Sequence, residues 1–310
     1  MLGATSKAFF HLLAGSRTLS RFSSRYGMRS PTSFARRFIA GETVEEAIAA
    51  ARAIEARGLL QTLDFLGESV SSLAEADAAT KDYLRVVDAV IQAGIIRNLS
   101  LKLTQLGLDA DRATAIDNIR RILERADGFF VRIDMESSAY TQVTLDIFEI
   151  LWEQGYRNIG IVLQADLHRT EADEARISAL GARVRLVKGA YREPRAVAYQ
   201  SKADVDRQYA LLTRRLLEHG HYPAIATHDI QMIDVAREHA QAIGLGKDQF
   251  EFQMLYGIRR DLQQALIRDG YRVRVYVPFG RQWFPYFMRR LGERPANIGF
   301  VIRGVAADRG

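Results

Sequence analysis

The sequence predicts one (β/α)8 barrel, TIM-like in architecture, with accessory helices at its amino end. Apolar runs rich in β-branched residues recur eight times from residue 60 onward, at intervals of roughly 25–40 residues, the length of a strand–helix unit. Segments with helical periodicity lie between these runs. The chain also lacks the glycine fingerprint of a dinucleotide-binding sheet. Eight units without that fingerprint favour a closed parallel barrel over a doubly wound sheet, which is the alternative fold.

The elements follow from the positions of these patterns along the chain. The predicted strands span residues 61–66, 99–106, 129–135, 158–164, 183–188, 223–227, 250–255 and 272–278. Apolar stripes at three- and four-residue spacing predict helices over 83–91, 116–126 and 205–216. Gly94 is expected to end the first of these helices, and Thr43 is expected to cap a helix before the barrel.

Composition and charge exclude several classes of protein. The 310 residues include no cysteine, which excludes disulfides, thiolate nucleophiles and iron–sulfur clusters. No apolar run is long enough to span a bilayer as a helix. The net charge of +6 is concentrated in residues 1–40, which contribute +7 and contain no acidic residue. The rest of the chain is close to neutral, so we expect no nucleic-acid partner, and no spacing of histidines and carboxylates predicts a metal site.

The basic amino end is predicted to form a helical arm over residues 1–58, with the barrel occupying residues 59–310. Four arginines recur every fourth residue and would share one helix face: Arg17, Arg21, Arg25 and Arg29. Three interpretations stay open, namely an interfacial helix on anionic lipid, a transit peptide, and a helix packed on the barrel. We expect a cytoplasmic protein, with residues 1–40 as the candidate contact to the inner membrane.

Polar residues cluster at the predicted strand ends, where barrel enzymes carry out their chemistry. Charged groups inside a barrel are costly unless they are paired or used. The clustered residues are Lys102, Asp134, Gln164, Arg185, Lys188, Thr227, His228 and Tyr276. A helix after the last strand would place further polar residues on one face: Tyr286, Arg289, Arg290 and Glu293. Two adjacent arginines over a barrel mouth are suited to binding a carboxylate or a phosphate.

Six segments, in order and with matching spacing, resemble the proline dehydrogenase family. They are Asp134–Glu136, Arg185–Tyr191, Ala226–His228, Glu251–Gly257, Tyr276–Gly280 and Tyr286–Asn297. The similarity extends from about residue 60 to residue 300, and the length suits the short, monofunctional bacterial form. The resemblance implies a barrel that holds FAD without a Rossmann fold. It also implies oxidation of L-proline to Δ1-pyrroline-5-carboxylate, with hydride transfer to flavin N5 and electrons passed on to a membrane quinone.

The resemblance also implies a role for each matched residue. Lys102, Arg289 and Arg290 would bind the proline carboxylate, and Glu293 would orient Arg289. The walls of the substrate ring would be Ala190, Leu255, Tyr276 and Tyr286. Arg185 would bond flavin N5, and Asp134 matches the catalytic aspartate, which we expect to organise Arg185 or the substrate site. The FAD lining would be Met135, Gln164, Lys188, Gly189, Ala190, Thr227 and His228.

Two other functions remain as alternatives from the residues themselves. A barrel aldolase would form a Schiff base on Lys188 or Lys102 after burial lowers the pKa of that amine. A membrane- or nucleic-acid-binding module would act through the basic arm, without a catalytic role for the barrel.

Overall fold

The computed structural model describes residues 33–293, without the side chains of Phe34 and of residues 291–293. Its eight strands are all parallel and follow one another around a closed barrel, in which the last strand pairs with the first. They are β1 Leu60–Phe65, β2 Asn98–Leu101, β3 Phe130–Ile133, β4 Ile159–Gln164, β5 Arg183–Val187, β6 Ala224–Ala226, β7 Glu251–Leu255 and β8 Arg272–Phe279. The predicted fold class is confirmed.

Helices alternate with the strands and cover the outside of the sheet. They are α1 Val44–Glu55, α2 Leu73–Ala93, α3 Arg112–Arg125, α4 Ser138–Glu153, α5 Thr170–Ala179, α6 Lys202–His219, α7 Ile230–Ala242, α8 Arg260–Arg268 and α9 Trp283–Glu293. The three stripes predicted from periodicity lie in α2, α3 and α6, and each presents its apolar residues to the core. The helix α2 ends at Gly94, as predicted.

The predicted strand over residues 99–106 is wrong beyond Leu101. Thr104–Leu106 form a 3-10 helix, and Gly107 closes it at φ 101°, in the left-handed region that favours glycine. The alternation in Leu-Lys-Leu-Thr-Gln-Leu is strand-like, but tertiary contacts override it. The Thr104 hydroxyl donates to Glu136 Oε2 at 2.7 Å, and the Thr104 carbonyl accepts from Val70 N at 3.2 Å. These contacts turn the chain out of the sheet before it reaches α3.

The lower end of the barrel is filled by a buried charged layer. Glu251 and Arg274 form a bidentate pair, with Nε–Oε1 at 2.8 Å and Nη2–Oε2 at 2.9 Å. Arg274 Nη1 also donates to the Gln61 carbonyl at 2.8 Å, and Arg132 donates to the carbonyls of two neighbouring strands. Because these charges are paired with each other or bonded to backbone, their burial inside the barrel is compensated.

The helix α1 begins at the predicted cap and packs on the outside of β1 and β8. The Thr43 side chain accepts from Glu46 N, and Glu46 Oε2 accepts from Thr43 N at 3.2 Å, which completes a capping box. Glu46 also pairs with Arg36 at 2.6 Å. Residues 1–32 lie outside the described part of the chain, so the interpretations of the arm remain predictions. Within residues 33–293, no helix is both long and apolar enough to span a bilayer.

Replacing Thr43 with alanine is expected to lower the free energy of unfolding by about 1 kcal/mol, because the first turn of α1 loses its side-chain acceptor. Urea unfolding followed by circular dichroism measures the effect. Thr43→Ser keeps the hydroxyl and is the matched control, with an expected change of a few tenths of a kcal/mol at most, on the order of ordinary surface substitutions. Equal losses in both variants would show that the hydroxyl is not what stabilises this helix start.

The last helix, α9, is anchored by an apolar cluster at the barrel mouth. The rings of Trp283 and Phe287 pack edge to face, with their centroids 5.8 Å apart. The ring centroids of Phe38 and Phe287 are 6.1 Å apart. Leu66, from the loop after β1, is buried in the same cluster. The Trp283 indole donates to Glu42 Oε1 at 2.9 Å. This α9 anchor cluster positions the other face of the helix over the open end of the barrel.

Candidate active site

A cavity of about 440 Å³ lies at the carboxyl ends of the strands, beneath α9. Every site residue predicted from the sequence, except Glu293, lines it. These residues are Lys102, Asp134, Met135, Gln164, Arg185, Lys188, Gly189, Ala190, Thr227, His228, Leu255, Tyr276, Tyr286, Arg289 and Arg290. The side chain of Glu293 lies outside the described residues, so its proposed contact with Arg289 stays a prediction.

A larger cavity of about 720 Å³ lies outside the barrel, between the loop after β1, the helix α2 and the turn that follows β8. It contacts none of the predicted site residues. Volume alone therefore does not identify the site. The smaller cavity is the better candidate because charged side chains from several strands converge on it.

Asp134 organises the floor of the smaller cavity. Its Oδ1 accepts from Arg185 Nη1 at 2.7 Å, and its Oδ2 accepts from the Tyr276 hydroxyl at 2.7 Å. Arg185 Nη2 also donates to Ser100 Oγ at 3.0 Å. Burial, and then the charge of Asp134, raise the pKa of the Tyr276 phenol well above its usual range. The phenol therefore stays protonated and acts as a donor, while one carboxylate aligns groups from β3, β5 and β8.

Lys102 is a buried ammonium between two carboxylates. Its Nζ lies 3.3 Å from Asp64 Oδ1 and 4.0 Å from Asp134 Oδ2. Burial lowers the pKa of Lys102, but the two carboxylates outweigh burial and raise the pKa above its usual value. A charged ammonium of this kind can bind a carboxylate. It is unsuited to Schiff-base chemistry, which needs the neutral amine.

Lys188 is also held by two carboxylates. Its Nζ lies 2.5 Å from Asp206 Oδ1 and 2.7 Å from Asp229 Oδ2. These contacts occupy two donors of Lys188 with carboxylates, whereas a nucleophilic lysine needs a desolvated amine without such partners. Neither lysine has the surroundings that the aldolase alternative requires.

Arg289 reaches the cavity from α9 and is paired with Glu68 in the loop after β1. The pair is bidentate, with Nη1–Oε1 at 2.7 Å and Nη2–Oε2 at 3.1 Å. Burial lowers the pKa of Arg289, but Glu68 more than offsets this, so the pKa ends above its usual value. The sequence predicted the cation but missed Glu68, since nothing in Gly-Glu-Ser marks a partner located 221 residues further along.

Comparison with known proteins addresses the identity of this site. The family model for proline dehydrogenase matches residues 47–303. The chain belongs to the proline dehydrogenase family. It is 45% identical to a proline dehydrogenase of Deinococcus radiodurans over 87% of this chain and 89% of that protein. It is 40% identical to proline dehydrogenase 2 of Bacillus subtilis over 97% of this chain and 98% of that protein.

Solved structures of the proline dehydrogenase family share the fold. Proline utilization A from Bdellovibrio bacteriovorus, in a form inactivated by N-propargylglycine, superimposes with a TM-score of 0.79 at 28% identity. The match covers 89% of this chain and 34% of that protein, so the present chain spans about a third of its length. The resemblance to the proline dehydrogenase family, inferred from the six sequence segments, is confirmed.

Two further polar residues at this proline dehydrogenase site were missed from the sequence. Asp64 lies within β1 and is fully buried, and Ser100 lies within β2 and bonds Arg185. The signal for Asp64 was present, because a carboxylate inside the apolar run Gln-Thr-Leu-Asp-Phe-Leu is costly without a partner. Ser100 carries no such signal, since small hydroxyl residues are common in strands that pack closely.

Proposed function

We propose that this chain oxidises L-proline to Δ1-pyrroline-5-carboxylate, with FAD as its cofactor and a quinone as the electron acceptor. The main supporting observation is that one cavity brings the cations Lys102, Arg289 and Arg290 beside the hydrogen-bonded group of Asp134, Arg185 and Tyr276. A small amino acid with one carboxylate, oxidised at the carbon next to its nitrogen, fits both halves of this arrangement.

The first half binds the substrate carboxylate. Lys102 from the end of β2 and Arg289 from α9 also border a small void of about 20 Å³ together with Tyr286. The two cations therefore border the same small space, one from the barrel and one from the helix above it. Charge-assisted bonds from both would fix the position and orientation of the substrate ring. Leu255 and the two tyrosines would supply its walls, with Ala190 beside them.

The second half fits a flavin. Arg185 Nε is buried and has no hydrogen-bond partner among the described residues, so this donor is available for a ring nitrogen. Gly189 has φ 117°, and a Cβ there would lie 2.0 Å from Asp166 Oδ2, so only glycine allows the backbone to line the cavity at this point. The residues that would hold FAD are Met135, Gln164, Arg185, Lys188, Gly189, Ala190, Thr227 and His228. When bound, FAD supplies the acceptor for the two electrons that proline loses.

The chain's own residues supply orientation and charge. Asp134 keeps the Arg185 guanidinium and the Tyr276 phenol in fixed positions, so neither has to reorganise during the reaction. The positive charge of Arg185 in the cavity would favour the reduced, electron-rich form of a flavin held there. His228 Nε2 accepts from Leu255 N at 2.9 Å, which fixes the orientation of its ring along the cavity wall.

A quinone acceptor and peripheral membrane contact form the last part of this proposal. Residues 1–40 carry +7 without an acidic residue, and such a segment is attracted to an anionic lipid surface by about 1 kcal/mol per basic residue. Contact with that surface would bring the reduced enzyme close to membrane quinone. We place the enzyme in the cytoplasm, on the inner face of that membrane.

The visible absorption spectrum of the purified protein, recorded without oxygen before and after adding L-proline, tests the proposal. We expect flavin bands that bleach with proline and do not bleach with sodium chloride at the same ionic strength. Flavin bands that persist after proline is added would support a flavin cofactor and would contradict proline as the substrate. A colourless protein that does not take up added FAD would reject both.

A further inference from the structure

Asp64 is a buried carboxylate at the base of the candidate substrate subsite. It lies within β1, is fully buried, and contacts Lys102 through Oδ1 at 3.3 Å. Its other oxygen, Oδ2, is buried and has no hydrogen-bond partner among the described residues. An ionised carboxylate in such a place is costly unless a cation compensates it, and Lys102 is the cation within reach.

Charged and titratable groups face Lys102 from several elements. They are Asp64 on β1, Glu68 in the following loop, Tyr83 on α2, Asp134 and Glu136 after β3, Tyr191 after β5, Tyr276 on β8 and Arg289 on α9. Asp134 is farther from Lys102 than Asp64 is, and its two oxygens already accept from Arg185 and Tyr276. Glu68 is paired with Arg289. Asp64 is therefore the carboxylate whose hydrogen bond is made to the Lys102 ammonium.

We propose that Asp64 is a positioning residue for substrate recognition: it fixes the Lys102 ammonium at the cavity floor and keeps it charged for a substrate carboxylate. This inference rests on the proposed function, since it assigns Lys102 to the substrate. The reason is electrostatic. Burial alone lowers the pKa of a lysine and favours the neutral amine, which binds no anion. The nearby carboxylate reverses that preference, and the pKa of Lys102 lies above its usual value.

Binding of tetrahydrofuran-2-carboxylate to the holoenzyme measures this effect. The compound resembles proline with oxygen in place of the ring nitrogen, so it has no amine that titrates with Lys102. In the wild-type enzyme we expect an inhibition constant that is flat from about pH 7 to about pH 10, since Lys102 stays protonated. In Asp64→Asn we expect it to rise by about tenfold or more over that interval, because burial then lowers the pKa of Lys102.

Three variants serve as controls. Lys102→Met removes the titrating group. We therefore expect this variant to bind the inhibitor weakly, with an inhibition constant that does not change with pH. Asp64→Glu keeps the charge and is expected to restore the flat profile. Asp77→Asn removes an exposed carboxylate paired with Lys81 and Arg121, and is expected to behave as wild type. A flat profile in Asp64→Asn, with unaltered affinity, would overturn the proposal.

A measurement on the wild-type chain keeps the proposal testable if Asp64→Asn does not fold. Competitive labelling of lysines with acetic anhydride, followed by mass spectrometry, reports the pKa of Lys102 without any ligand. A Lys102 that titrates above an ordinary lysine supports the role of Asp64, and one that titrates at or below it overturns that role. Failure of the wild-type enzyme to bind the inhibitor or to oxidise proline, with Lys102 still titrating high, would instead reject the proposed function.

Discussion

Replacing Arg289 with methionine is expected to raise the KM for L-proline by about two orders of magnitude, on the order of 2–4 kcal/mol. Arg289 would bind the substrate carboxylate through charge-assisted bonds, and methionine keeps an unbranched apolar side chain while removing every donor. The FAD content should not change, because Arg289 lies on α9 and reaches the cavity from the side of Lys102 and Tyr286. Steady-state kinetics with a dye acceptor and the flavin-to-protein absorbance ratio measure the two quantities.

Two controls separate binding from other effects of this substitution. Arg207→Met removes an exposed arginine paired with Asp204 on α6, and its KM should equal that of the wild type. Arg289→Met combined with Glu68→Gln removes both partners of the observed ion pair, so no carboxylate is left without its cation. A KM close to wild type in the single variant would exclude Arg289 from the substrate site.

Replacing Asp134 with asparagine is expected to lower kcat by about 100-fold, the size of effect that misplacement of a reacting group produces. An amide presents one oxygen and one donor NH2 group, so it can accept from Arg185 or from the Tyr276 hydroxyl but not from both. The group on the side of the NH2 loses its charged acceptor, and its alignment is weakened. The rate of flavin reduction after rapid mixing with proline, without oxygen, measures the change directly.

Tyr276→Phe is the matched comparison for Asp134→Asn, because it removes only one of the two contacts. We expect it to lower the rate of flavin reduction by about tenfold, less than the loss in Asp134→Asn, on the scale of one lost hydrogen bond to a charged group. Equal rates in wild type and Asp134→Asn, with proline still bound, would show that the carboxylate does not align these groups.

Much of the fold could be predicted because the strands of a parallel barrel are largely buried on both faces and are therefore rich in apolar residues. The run Ile-Gly-Ile-Val-Leu-Gln of β4 shows this directly, with all six residues buried. The error in β2 has the opposite cause. Its last predicted residues form a 3-10 turn because Thr104 bonds groups after β1 and β3, and no local pattern reveals such contacts.

The candidate site was also predicted only in part from the sequence. Cations and aromatic residues at strand ends were visible as exceptions to an apolar pattern, and family resemblance supplied their expected roles. Their partners were less visible. The resemblance placed Glu293 beside Arg289, and that contact stays a prediction. The ion pair of Arg289 with Glu68, in the loop after β1, was not foreseen. Ion pairs between distant segments depend on the closed topology rather than on sequence spacing.

Because α9 follows the last strand, the residues that close the barrel are separate in the chain from those proposed to bind the substrate carboxylate. The sheet closes when β8 pairs with β1, which requires residues up to Phe279. Arg289 and Arg290 come only after that point, on a helix held by the α9 anchor cluster. A chain that ended at Gly280 would keep every strand of the barrel. It would lack the two arginines that are proposed to bind the substrate carboxylate. Closure of the sheet and binding of the substrate carboxylate therefore depend on different parts of the chain, the first on β1 and β8 and the second on α9.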